Sequence, residues 1–222
     1  EICIHFEPNN IVQPNNFSNV GDTIVVDGIT YDLIGPLSKT VEVAYDPMRE
    51  FVFINRELTI PETIVYNNET YSVTKIGPKG LIGFASLNLP NTLRSIAQAG
   101  LSGCGMKDLQ LPESIEMLGQ ECFSWMENLK SITLPSQLPY IPNWCFYGCK
   151  KLETVNLPAS IKALGYRSFY ECPSLGFLVS NAIVVPTHNT EPGYTETFDQ
   201  DLSGRLLAVP QVAIDDYRNN PI

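Results

Sequence analysis

Along most of the chain, apolar and polar residues follow one phrase that returns every 22 or 23 positions. Between Ser131 and Leu152 it reads SITLPSQLPYIPNWCFYGCKKL. The pairs Leu89-Pro90, Leu111-Pro112, Leu134-Pro135 and Leu157-Pro158 lie 22, 23 and 23 residues apart, and a stretched copy opens at Ile60-Pro61. A fixed period of this length predicts a stack of coils, each burying its apolar side only against its neighbours. Leu129, Ile132 and Leu134 alternate as a short strand with one buried side does, and Leu152, Val155 and Leu157 repeat them. Proline then ends the strand. Ile115, Leu138 and Ile161, followed by Leu118, Ile141 and Leu164, predict a second extended segment. Next comes a predicted short helical turn with Phe123, Phe146 and Phe169, preceded by Leu81 and Leu101 in earlier copies. Their side chains are expected to form one inward file, each ring burying roughly 1.5 to 3 kcal/mol. Gly77, Gly119 and Gly165 mark a positive φ or a close backbone approach, although Ala97 and Pro142 at the same place weigh against the first.

The period falls in the leucine-rich-repeat window. The expected fold is therefore a β-rich α/β leucine-rich-repeat solenoid of about five repeats over residues 58–180. Before it, residues 1–20 are rich in Asn and Pro and read as a tail. Residues 21–57 read as an antiparallel β cap, with a tight hairpin at Asp27-Gly28 and strand-like runs at Lys39 to Val43 and Phe51 to Ile54. The first repeat, Leu58 to Phe84, carries an insertion with a second hairpin at Asn67-Asn68. After Pro173 the pattern loosens. Residues 181–222 read as a polar acidic loop, Pro186 to Asp201, and a strand-Pro-helix cap, Leu206 to Tyr217.

The net charge of −10, with no basic run, argues against nucleic acid and fits a neutral-polar or cationic partner better than an anionic one. No apolar run is long enough to span a membrane, so no transmembrane segment is expected. The first residue is Glu rather than Met, which suggests a processed or trimmed start, and Cys3 does not follow the small residue typical of a lipid anchor. Register assigns the other cysteines. Cys104, Cys149 and Cys172 share a place with Phe84 and Met126, so that place is apolar. Cys122 and Cys145 share theirs with Gly80, Gly100 and Ser168, so that place is small. With neighbouring helical turns roughly 8 to 10 Å apart, the thiols are expected to be free.

Leu157 to Cys172 shows the order Leu-Pro, Ser-Ile, Leu-Gly, small-Phe, Cys. Together with the entry strands at Asp27 to Tyr31 and Lys39 to Val43, and the ending from Val209-Pro210 to Tyr217, it resembles the BspA-like leucine-rich-repeat family of bacterial surface proteins. The shortened links before Leu87 and Leu109, and Leu101 in place of Phe, depart from that pattern. The resemblance implies export, a cell-surface or extracellular location, and binding of host proteins, glycans or other cells. It transfers no catalytic set.

The residues themselves offer little chemistry. The two histidines, His5 and His188, are far from any converging nucleophile and base, and Asp199 and Asp201 lack the spacing of a calcium loop. No catalytic residue, metal ligand or cofactor is expected. The sequons at Asn16 and Asn68 need a eukaryotic secretory context to matter. Two variable surfaces remain. Thr59, Asn88, Gln110, Thr133 and Asn156 form a polar ladder along the first strand column, which fits a sugar or extended peptide or is ordinary solvent-facing sheet. On the opposite side Trp125, Trp144, Tyr147, Tyr166 and Tyr170 gather around the Phe place, in pairs four apart as on a helical face. They either mark a contact site or fold back over the turns. The leading expectation is a non-enzymatic recognition or adhesion module for a protein or glycan. A structural spacer comes second and an undetected hydrolase third.

Overall fold

The computed structural model describes residues 20–47, 57–188, 197–198 and 206–219. Residues 1–19 of the expected 1–20 tail, the run Phe51 to Ile54, Asp199, Asp201 and the side chain of His188 lie outside them.

Most coils lay one strand on each of two faces. On the first, Glu57–Thr59 pairs in parallel with Ser86–Asn88, and a separate parallel sheet holds Ser131–Thr133, Thr154–Leu157, Phe177–Ser180 and Leu206–Ala208 in that order; the coil between them contributes only an isolated bridge from Asp108 to Ser131. Ile132 faces Val155 and Val155 faces Leu178 in register, so alternation keeps all three buried at 8% exposure or less. On the second, Glu69–Ile76, Ser95–Ile96 and Met117–Leu118 form one ladder, and Tyr140–Ile141, Ala163–Leu164 and Thr187–His188 another. One hydrophobic cluster runs without a gap from Ile24 to Ala182.

The third face differs from the expected helical turn. Successive tight turns replace the helix, with Cys145, Tyr147 and Cys149 donating to the carbonyls of Pro142, Trp144 and Phe146. The alternate amides of Trp144, Phe146 and Gly148 point out of the coil to the carbonyls of Tyr166, Ser168 and Tyr170 in the next. An α-helix would spend those donors on its own carbonyls. Here they bind one coil to another. Two places in each of five such turns adopt positive φ: Lys79, Ala99, Glu121, Trp144 and Arg167 at one, and Gly83, Gly103, Trp125, Gly148 and Glu171 at the other. Among the described residues, helix is confined to Gln211–Ala213 and Ile214–Asn219.

The Phe file is as the period implies. Phe123 stacks on Phe146 at 5.3 Å and Phe146 on Phe169 at 5.3 Å, all fully buried. Phe198 extends it, stacking on Phe169 at 5.4 Å. Within the segment expected as an acidic loop, Thr187–His188 joins the second face, and Phe198 takes the next place in the file. That place escaped the sequence reading because Phe198 stands 29 positions after Phe169 instead of 23.

Sγ of Cys122 and Cys145 approach to 3.6 Å across neighbouring coils. All five described cysteines are nonetheless buried and free. The apolar place has a polar task as well: the thiols of Cys104, Cys149 and Cys172 donate to the carbonyls of Leu81, Phe123 and Phe146 one coil back. Gly119 and Gly165 are set by close approach and not by positive φ, since a Cβ would lie 2.5 Å from the backbone of the preceding coil.

At the start, Thr23–Val26, Ile29–Gly35 and Thr40–Val43 run antiparallel, turning through Asp27 and Gly28 at positive φ. Thr40–Val43 then pairs in parallel with Glu69–Ile76, itself in a hairpin with Thr63–Tyr66. At the far end the buried Tyr217 shares a 2.7 Å hydrogen bond with Ser180 and donates to the carbonyl of Ala182, fastening the short helix to the last described coils.

Candidate recognition groove

Three coils build a grid on the turn face. One positive-φ column holds Glu121, Trp144 and Arg167, and the other holds Trp125, Gly148 and Glu171. Between them the residues next to the Phe file are Ser124, Tyr147 and Tyr170. Gly148 leaves room for Trp125, whose ring lies where a Cβ on Gly148 would be, 2.6 Å away. Trp125 meets Tyr147 edge-on at 5.1 Å, and Trp144 meets Tyr166 edge-on at 5.6 Å. Between the columns lies an open groove of about 260 Å³ lined by Glu121, Ser124, Trp125, Trp144, Tyr147 and Arg167.

Of the five aromatics singled out by sequence, Trp125, Trp144 and Tyr147 line this groove. Tyr166 and Tyr170 stand behind it. They hold the Arg167 guanidinium between them at 5.0 and 4.6 Å, and Tyr170 stacks on Tyr147 at 6.0 Å. The rings converge through coil register and not through a shared helical face. Tyr147 donates to Glu171 at 2.7 Å, and that carboxylate, with burial second, raises the phenol above its ordinary pKa. Lys150, ion-paired to Glu127, sits 5.8 Å over the Trp125 ring, and the pairing raises its ammonium pKa. Trp125 keeps 44% exposure, while Trp144 and Tyr147 are half-buried. Sequence reading missed Glu121, Ser124 and Arg167. Their signal was available, since they share register places with Trp144 and Tyr147.

The polar ladder is present but largely occupied with itself. Asn88 donates to Thr59 at 3.1 Å and Asn156 to Thr133 at 3.2 Å, while Gln110 is exposed outside any strand. Among the described residues no group of three His, Cys, Asp or Glu could hold a metal ion. No described helix is long and apolar enough to cross a membrane.

Residues 51–182 match the family model described as BspA type Leucine rich repeat region, in six copies where five were counted from the sequence. The chain belongs to this BspA-type family. Its solenoid is similar to that of the pneumococcal vaccine antigen PcpA, at 18% identity and TM-score 0.68, over 87% of this chain and 51% of that one. The present chain thus spans about half of that structure. A leucine rich repeat protein of T. pallidum is also similar, at 19% identity and TM-score 0.57, over 87% of this chain and 94% of that one. No curated protein matches significantly. These likenesses show the BspA-type fold. Leucine-rich-repeat domains of this kind are in general non-enzymatic scaffolds for interactions.

Proposed function

We propose that this chain is a recognition or adhesion module displayed on, or secreted from, a bacterial cell, and that it binds a protein or glycan through the aromatic groove. Bacterial surface or secreted location is typical of the family. One observation carries the choice of site. Trp125 occupies, at φ 58°, a place filled by glycine in the coils of Gly83, Gly103 and Gly148. A bulky L-residue there costs about 1 to 2 kcal/mol, and backbone strain of this kind gathers at functional sites. Stacking alone does not require it. In the same proposal the three N-terminal strands and the Tyr217 helix close the two ends of the core, as solenoids require.

The test is a printed array of extracellular-matrix proteins and oligosaccharides, probed with the wild-type chain, Trp125→Gly and Trp144→Ala. Both variants should lose the spots that the wild type retains. Trp125→Gly should unfold within about 1 kcal/mol of wild type, because released strain offsets the lost ring contact. Equal binding by the variants would reject the groove; collapse of both would make the tryptophans structural.

A spacer role has its own support. The Asn–Thr pairs and the ion pairs Arg94–Glu116, Lys130–Glu153 and Lys150–Glu127 each tie one coil to the next, stiffening the rod. An array on which the wild type binds nothing would favour it.

A further inference from the structure

Taking the groove as the recognition site just proposed, we infer that its ligand is a glycan and that the unit seated in it is a neutral hexopyranose. Three features of the groove converge on that chemistry. At about 260 Å³ it is smaller than the roughly 300 to 1,000 Å³ pockets that enclose drug-sized ligands, so it takes one ring at a time. Trp125 and Trp144 line it, and indole rings suit an apolar C–H surface. Its polar members are a carboxylate, Glu121, a hydroxyl, Ser124, and a guanidinium, Arg167. Glu121 accepts two hydroxyl protons, and the planar fork of Arg167 donates to two oxygens in one plane. A pyranose has this duality: one face of axial C–H groups and a rim of adjacent hydroxyls that both donate and accept.

Charge narrows the choice. Glu121 and Arg167 cancel within the groove, and the chain as a whole carries −10, which disfavours sialylated or sulfated sugars. Geometry disfavours a protein ligand. A stable protein interface buries roughly 800 Å² per partner around aromatic anchors, whereas Trp125 is the one large apolar side chain of the groove that is exposed. The neighbouring Tyr166 and Tyr170 are half-buried and occupied by Arg167. Glu121 and Arg167 stand two coils apart, about 10 Å at a strand-like spacing. That distance brackets one sugar ring lying along the stack.

The chain contains two tryptophans, both in the groove, so intrinsic tryptophan emission reads this site alone. Methyl glycosides of glucose, galactose, mannose and N-acetylglucosamine, with lactose and its sialylated form, are titrated against that emission. At least one neutral sugar should give a saturable change with a dissociation constant on the order of a millimolar, as a single small ring allows. Arg167→Lys and Glu121→Gln should each weaken it about tenfold with unchanged far-ultraviolet dichroism, and sialylated lactose should bind less well than lactose. No saturable change with any neutral sugar, or the same constants in both variants, would overturn the inference. If sugars fail while an array-identified protein still shifts the emission, the glycan is wrong and the groove stands. If an array ligand binds without moving it, the groove itself is wrong.

Discussion

Phe146 offers the sharpest test of the stacked-coil core. Its ring is fully buried and lies 5.3 Å from Phe123 on one side and 5.3 Å from Phe169 on the other. Truncation of a buried Phe to Ala costs about 3 to 5 kcal/mol, more where the site cannot close around the cavity. Closure is blocked here, because Phe146 donates to the Ser168 carbonyl at 2.8 Å and Phe123 to the Cys145 carbonyl at 3.0 Å, fixing the coils on both sides. Two stacked ring contacts, each about 0.5 to 1.5 kcal/mol beyond area burial, are lost together. Phe146→Ala should therefore cost about 5 kcal/mol. Phe146→Leu should cost less, about 1 to 3 kcal/mol, since it loses the same two ring contacts but fills most of the cavity, as Leu81 and Leu101 do in the same file. Urea unfolding followed by tryptophan emission and by far-ultraviolet dichroism measures both, and the two probes also reveal whether the coils unfold as one unit. A loss below about 2 kcal/mol for Ala, or equal losses for Ala and Leu, would refute the continuous file.

Two further predictions concern backbone packing and the thiols. A Cβ on Gly119 would stand 2.5 Å from backbone atoms of Ala97 and Gln98, so Gly119→Ala should cost roughly 1 to 3 kcal/mol in a thermal melt. Gly105→Ala, whose Cβ meets nothing nearer than 3.9 Å, should stay within about 0.5 kcal/mol of wild type. Burial raises the Cys104 thiol from its ordinary 9.0 to about 12 and pushes Cys145 and Cys149 well above 9.0. Above pH 9 the unfolded chain loses protons that the folded chain keeps, so stability is fully present below pH 9 and falls as pH rises toward 12. For Cys104 the loss is about 1.4 kcal/mol per pH unit in that window. Urea midpoints from pH 8 to 11 check the slope; Cys104→Ala should remove its share, and a slope unchanged by the substitution would reject the assignment.

How much of this was legible follows from what a repeat can and cannot encode. The Phe file and the two strand columns recur at fixed spacing, and a coil that lacked them would expose its neighbour's core. The hairpins at Asp27-Gly28 and Asn67-Asn68 were legible because both pairs sit at positive φ, where few residue types are at ease. The turn face was misread as helical since apolar spacing is the same for a helix and for successive turns. They differ in where the amides of Trp144, Phe146 and Gly148 point, and no side-chain pattern records that. The place of Phe198 in the file was hidden by the 29-residue step from Phe169, which moved it out of phase.

The groove was half legible, and the dividing line is physical. Large rings on an outer face are costly enough to be noticed, so Trp125 and Trp144 stood out. Glu121, Ser124 and Arg167 did not, because a polar residue turned toward water is the ordinary case and carries no signal alone. What joins the two kinds is the positive-φ grid. Glycine takes either of its places without strain, and Gly83, Gly103 and Gly148 do so. Glu121, Trp125, Trp144, Arg167 and Glu171 fill the same places with side chains whose backbone is strained, at φ between 50° and 59°. These five lie on three adjacent coils, and Lys79, at φ 54°, fills such a place away from the groove, while the coil of Ala99 and Gly103 uses only small residues. Trp125 and Trp144 are the large apolar rings among these strained places, and the array experiment with Trp125→Gly and Trp144→Ala decides whether binding is what keeps them there.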